Sequence, residues 1–129
     1  MIESTGVLRY SRPEDRFKLV VEIDQAIALF YRALVPRSVR LNPTRYAPHI
    51  TVVRDEIPPN LEAWGKYEGH DLRFEYEPLV QRGEVYYWLN VFSDRLRSIR
   101  QELGLPPTSH LTRPPDDADC FHSTIGNLK

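Results

Sequence analysis

Twice in this chain, an alternating apolar run is followed by an amphipathic stretch, a proline-studded loop and a short apolar run that opens on His-x-Thr. The first unit leads from residues 18–24 to His49-Ile50-Thr51. The second leads from residues 85–92 to His122-Ser123-Thr124. Each unit reads strand, helix, loop, strand. The two units share no residue-level identity beyond the motif, so the repeat is one of architecture. It constrains the fold strongly, because two such units can bring their closing strands together in one place.

Local signals support this order. In 18–24, Leu19, Val21 and Ile23 alternate with Lys18, Val20 and Glu22, as in a half-buried strand. Asp24 is an N-cap for a helix to about Val35, with Ile27, Phe30, Tyr31 and Leu34 as its apolar stripe. Residues 72–77 alternate apolar with charged. Residues 85–92 are rich in aromatic and β-branched side chains and form the most strand-like run. Ser93 or Asp94 caps a second helix with Leu96, Ile99 and Leu103 buried and Gly104 as its stop. A short first strand at 7–10, a short helix at 60–66 carrying Trp64 and a turn at 81–84 complete the reading. The eleven prolines fall between these elements and punctuate loops.

The bulk numbers narrow the function classes. A chain of 129 residues forms one domain (1–129), with lobe one at roughly 15–58 and lobe two at roughly 70–129. A net charge of -1 provides no field for long nucleic acid, though a local arginine cluster suffices for a small phosphate ligand. Cys120 is the only cysteine, so no intramolecular disulfide is expected and a reducing, cytoplasmic setting is. Neither a membrane-spanning run nor a signal-peptide layout is legible. Cys-x-His at 120–122 matches no usual zinc spacing, and no metal or cofactor is expected.

The chemistry lies in the two triplets. In a strand, residues i and i+2 share a face, so each triplet presents an imidazole beside a hydroxyl. Ile50 and Val52, like Phe121, Ser123 and Ile125, then point towards the helices; His49, Thr51, His122 and Thr124 point the other way. An imidazole pair near its ordinary pKa can hold one ring neutral and one protonated. The neutral ring takes a proton from a nucleophile and the protonated ring gives one to the leaving oxygen, each transfer contributing roughly 10²–10⁴-fold. Thr51 and Thr124, neutral and stiff at χ1, suit the charge that builds on non-bridging oxygens. Arg54, three residues after Thr51, is placed to reach a phosphate or to hold the strand end. Tyr86, Trp88 and Asn90 would face the same way as the histidines, where the aromatics can stack a base or pack on their neighbours. Arg37, Arg40 and Arg45 precede His49 in a loop that is either solvated or phosphate-binding. His70 and His110 sit in turns and read as surface residues.

At His49-Ile50-Thr51-Val52-Val53-Arg54 and His122-Ser123-Thr124-Ile125-Gly126 the sequence resembles the two-histidine (2H) phosphoesterase superfamily, whose signature is two H-x-[T/S] motifs in paired lobes. The resemblance implies an α+β fold of two pseudo-symmetric strand-helix-strand lobes, with mainly antiparallel sheets around a central cleft. It also implies a metal-independent phosphodiesterase in which His49, Thr51, His122 and Thr124 are catalytic. In size and motif spacing the chain is similar to phage anti-CBASS nucleases, which degrade cyclic oligonucleotide immune signals. That branch implies a small cyclic or cyclic-phosphate nucleotide as substrate, the host cytoplasm as setting, and nucleotide contacts from Tyr10 and from Trp64 or Trp88. A 2′,3′-cyclic phosphodiesterase, an RNA end-processing enzyme acting on short RNA, and a cyclic-nucleotide sponge without chemistry are the alternatives.

Overall fold

The computed structural model describes all residues 1–129. Seven strands and two α-helices come in the order β1 (Ile2–Ser11), β2 (Lys18–Ile23), α1 (Gln25–Leu34), β3 (His49–Arg54), β4 (Asp71–Tyr76), β5 (Gln81–Arg82), β6 (Tyr86–Phe92), α2 (Asp94–Glu102) and β7 (Phe121–Asn127). All seven strands belong to one sheet, and every pairing is antiparallel. The fold class is therefore α+β. Across the sheet the order is β3-β2-β1-β4-β6-β7, with two-residue β5 also on β6.

β1 differs most from expectation. It runs from Ile2 to Ser11 and pairs with both β2 and β4. Only Leu8 and Gly6 are buried along it, so its N-terminal half carries no strong apolar alternation. It is a strand because its neighbours supply ladders on both sides. The expected helix at 60–66 is only a 3₁₀ turn at Leu61–Ala63, and the turn at 81–84 contains β5.

The sheet's two edge strands, β3 and β7, come side by side without forming a ladder. A two-bond bridge stitches the gap at one end: Asn42 N–H donates to Asn127 O at 2.8 Å, and Asn127 N–H to Asn42 O at 3.0 Å. The sheet is thus nearly closed on itself, which protects its open edges. Gly126 is required there, because a Cβ would lie 2.6 Å from Leu41 Cγ and 2.7 Å from Asn42 O.

Leu19, Val21, Ile50, Val52, Leu89, Val91, Phe121 and Ile125 form the inner sheet face, all at 1% exposure or less. Burying each such side chain contributes roughly 1.5–3 kcal/mol. Helix α2 seals this core with Leu96, Ile99 and Leu103, and Gly104 stops it at φ +83°. The N-caps are Asp24, whose side chain accepts from Ala26 N–H, and Ser93, whose side chain accepts from Leu96 N–H. In α1 the buried residues are Ala28 and Tyr31, whereas Phe30 and Leu34 are about 60% exposed. The expected stripe is rotated: α1 packs chiefly on β7 at the sheet edge, and its Tyr31 also meets Tyr76 of β4 at a centroid distance of 5.8 Å.

No helix is long and apolar enough to cross a membrane.

Candidate active site

The helices pack crosswise. Helix α1, from the first half of the chain, contacts β7, and α2, from the second half, contacts β3. Each sends an arginine to the carbonyl of the residue just after the motif threonine. Arg100 Nη1 on α2 donates to Val52 O at 2.8 Å, and Arg32 Nη1 on α1 donates to Ile125 O at 2.9 Å.

Both carbonyls belong to β-bulges. On β3, Thr51 lies opposite Val20 but Val53 lies opposite Leu19, so Val52 is extra. On β7, Thr124 lies opposite Trp88 but Gly126 lies opposite Tyr87, so Ile125 is extra. A bulge removes one residue from regular pairing and re-aims the side chains beyond it. Its effect on Arg54 is direct. Strict alternation puts Arg54 with Ile50 and Val52 on the core face. The bulge buries Val52 and Val53 in succession and returns Arg54 to the face of His49 and Thr51.

His49, Thr51, His122 and Thr124 line one cavity of about 160 Å³, with Thr44, Tyr46 and Ala47 completing its wall. The two triplets, far apart in sequence, therefore share a site. Both imidazoles are held alike. His49 Nδ1 is 2.8 Å from Ala47 O, and His122 Nδ1 is 3.2 Å from Thr112 O. A carbonyl only accepts, so each Nδ1 carries the proton and donates it. Each neutral ring keeps Nε2 as its free basic nitrogen. Burial pushes the His122 pKa below the ordinary value, more than its bond to Thr112 O raises it, and the positive charge that His49 can carry lowers it further. His122 is thus neutral near pH 7, with a lone pair available.

A second, wider cavity of about 530 Å³ adjoins the first and shares Tyr46, His49 and Thr51 with it. Arg54, Arg16 and Lys18 line it with Glu14 and Asp55. Arg16 and Tyr46 had no periodicity to announce them, and Lys18 showed only as a residue on the outer face of the strand at 18–24. The available signal was position: Tyr46 stands three residues before His49, and Lys18 opposes Arg54 in the ladder. Tyr46 is 65% exposed, a large free aromatic surface at the site, flanked by the Arg45 guanidinium and the Lys18 ammonium at 5.7 and 5.9 Å from its ring centre. Arg45 lines a further small cavity on the α1 side, with Arg32 and Thr44.

The other aromatic candidates lie elsewhere. Tyr10 opposes Leu19 and so faces the core. It stacks edge-on against Trp64, which in turn meets Phe17, at centroid distances of 5.0 and 4.9 Å. Neither Tyr10 nor Trp64 lines the histidine cavity. Trp88 is on the motif side, directly opposite Thr124, but is 2% exposed, with its ring close to Gly83, and donates from Nε1 to Asn90 Oδ1 at 3.0 Å. It supports Thr124 from the neighbouring strand and offers no open face. Tyr86 is partly exposed beyond the bulge, where its hydroxyl accepts from Lys129 Nζ at 2.6 Å.

Cys120 is buried and its thiol is pushed up to about 11, which makes it inert. No group of three His, Cys, Asp or Glu side chains stands where it could hold a metal ion. No protein-family model matches the chain, and neither the curated proteins nor the solved structures contain a match.

Proposed function

We propose that this chain is a metal-independent phosphodiesterase of the two-histidine type, acting on small nucleotide phosphodiesters. The observation that carries the reading is the single cavity lined by His49, Thr51, His122 and Thr124. The parallel placement of the triplets supports it. Each lies on an edge strand, its Nδ1 faces a backbone carbonyl, and a bulge with a helix arginine comes directly after it. Two halves related by a pseudo-twofold account for these parallels. Apart from the two-residue β5 in the second half, both run strand, strand, helix, strand, and the sheet order β3-β2-β1-β4-β6-β7 is palindromic under that exchange.

The scissile phosphate sits between the two triplets. His122, held neutral by burial, is the base: its Nε2 takes a proton from water or a ribose 2′-OH, whose oxygen bonds to phosphorus. His49 in its protonated form is the acid: as the bond from phosphorus to the leaving oxygen breaks, its Nε2 gives that oxygen a proton. Solvent restores both rings. The hydroxyls of Thr51 and Thr124 donate to the non-bridging oxygens. Tyr46 offers the open aromatic face for a base, the role expected of a tryptophan. Cyclic oligonucleotide signals are the favoured substrates, and 2′,3′-cyclic phosphates or short RNA ends come second.

His49→Ala and His122→Ala are each expected to abolish hydrolysis of 2′,3′-cyclic AMP and cyclic dinucleotides in EDTA, with circular dichroism unchanged. Full turnover by either variant would refute the assignment. Intact ligand that binds tightly to the unmodified protein would favour a sponge.

A further inference from the structure

Lys18 and Arg54 are directly opposite each other in the β2–β3 ladder. Like charges at such a position repel and weaken the pairing. Neither has a carboxylate oxygen within 4.0 Å, and neither does Arg16 beside them, although each of the chain's nine ion pairs is made elsewhere. Glu14 and Asp55 share the cavity wall without pairing to these cations. Both hold left-handed backbone, at φ 53° and 54°, which costs non-glycine residues energy. Asp55 is fixed there by its N–H bond to Phe17 O at 3.0 Å. Strained turns and unneutralised cations thus meet at one end of the groove that begins at His49 and Thr51. The bulge after Thr51 is what turns Arg54 into that groove. Thr51 and Arg54 lie opposite Val20 and Lys18, two residues apart on β2, and so span about 7 Å of strand, on the order of one nucleotide.

We propose that Arg16, Lys18 and Arg54 form a second anion subsite, which takes a phosphate of the substrate other than the one cleaved. The inference rests on the hydrolytic reading above and narrows it. The substrate is a nucleotide with at least two phosphates, one between the histidines and one a nucleoside away on the Arg54 side. Tyr46, shared by both cavities, lies between them and stacks the intervening base. A cyclic dinucleotide or a 5′-phosphorylated 2′,3′-cyclic nucleotide meets this demand. A 2′,3′-cyclic nucleotide with a free 5′-hydroxyl does not.

The test compares adenosine 2′,3′-cyclic phosphate with and without a 5′-phosphate, two substrates with the same scissile bond. The 5′-phosphorylated form is expected to have the higher kcat/KM, by about tenfold or more for a charge-assisted phosphate contact. Lys18→Gln and Arg54→Gln are each expected to lower that ratio towards one, while Tm stays level or rises as the repulsion is relieved. A ratio near one in the unmodified protein, or a ratio that both variants leave in place, overturns the subsite. Binding of the same two compounds to His122→Ala, measured by calorimetry, separates this inference from the hydrolytic one. Tighter binding of the 5′-phosphorylated compound supports the subsite even if neither is hydrolysed; equal affinity, or no binding of either, overturns it.

Discussion

Arg100 on α2 donates through Nη1 to the carbonyl of Val52, the bulged residue next to Thr51, at 2.8 Å. The same guanidinium is fully buried and uses its other donors well. Nη1 and Nη2 reach Glu56 Oε1 and Oε2 at 2.9 and 2.7 Å, and Nε reaches Pro106 O at 2.7 Å. Burial pushes the Glu56 carboxyl up, but the hydrogen bonds and charge of Arg100 together outweigh it and hold the pKa below the ordinary value. One side chain therefore ties the second helix, the loop after β3 and the bulge behind Thr51 into a single body.

Arg100→Ala is expected to destabilise the fold by about 3–5 kcal/mol, because it leaves Glu56 charged, half-buried and unpaired. Arg100→Met combined with Glu56→Leu removes both charges and is expected to recover much of that loss. Urea unfolding of the single and double variants measures both. If the double variant is no more stable than Arg100→Ala, the unpaired charge is not the cause.

Arg32 makes the corresponding bond to Ile125 O from a half-exposed position, without a carboxylate partner. Its loss is therefore milder for the fold. Arg32→Ala is expected to cost about 1–3 kcal/mol, the penalty for a stranded buried acceptor. Its larger effect falls on the position of Thr124: kcat drops while KM changes little, and Arg32→Lys restores part of the rate. Steady-state kinetics on the three proteins, with Tm measured alongside, distinguish a positioning role from simple loss of fold. Equal losses in the alanine and lysine variants would count against positioning.

The parts of the fold set by local chemistry were legible in the sequence. Asp24 and Ser93 cap, Gly104 stops a helix, and the apolar alternation of 18–24 and 121–126 marks the strands. The two His-x-Thr triplets pointed to one site because i and i+2 share a face. The rest depends on long-range pairing. No alternation marks the N-terminal half of β1, which is a strand because two neighbours bracket it. Bulges carry no local signature at Val52 or Ile125, so the re-aiming of Arg54 could not be foreseen. Tyr10 and Trp64 are aromatics of suitable type whose faces are taken by each other and by Phe17. Tyr46 belongs to no periodic element, and its exposure beside His49 emerges only from the fold.

Gly126→Ala tests how the two edge strands are joined. The added methyl would sit 2.7 Å from the Asn42 carbonyl, a backbone atom that cannot swing aside. The bridge between Asn42 and Asn127 must open, and Thr124, two residues away, moves with it. An overpacking cost of about 1–3 kcal/mol is expected, with faster hydrogen exchange at Asn42 and Asn127 N–H. Unchanged protection of both amides would show that the strands do not depend on this close approach.

The acid side of the pH profile tests the environment of His122. Its folded pKa is lowered, first by burial and then by the charge of His49. In the window between that folded value and the unfolded value near 6.5, the unfolded chain binds more protons than the native one, so stability rises with pH there. The contribution is present above about pH 6.5 and is lost as pH falls through the folded pKa. His122→Gln removes the titrating group and is expected to flatten the stability curve just below pH 6.5 while leaving the steeper carboxylate-driven loss at lower pH. If His122 is the base as proposed, the acidic limb of kcat/KM in the unmodified protein falls in the same window as the stability loss. Urea midpoints and initial rates measured from pH 4 to 8 check both, and an acidic limb centred above pH 7 would assign the base to a different group.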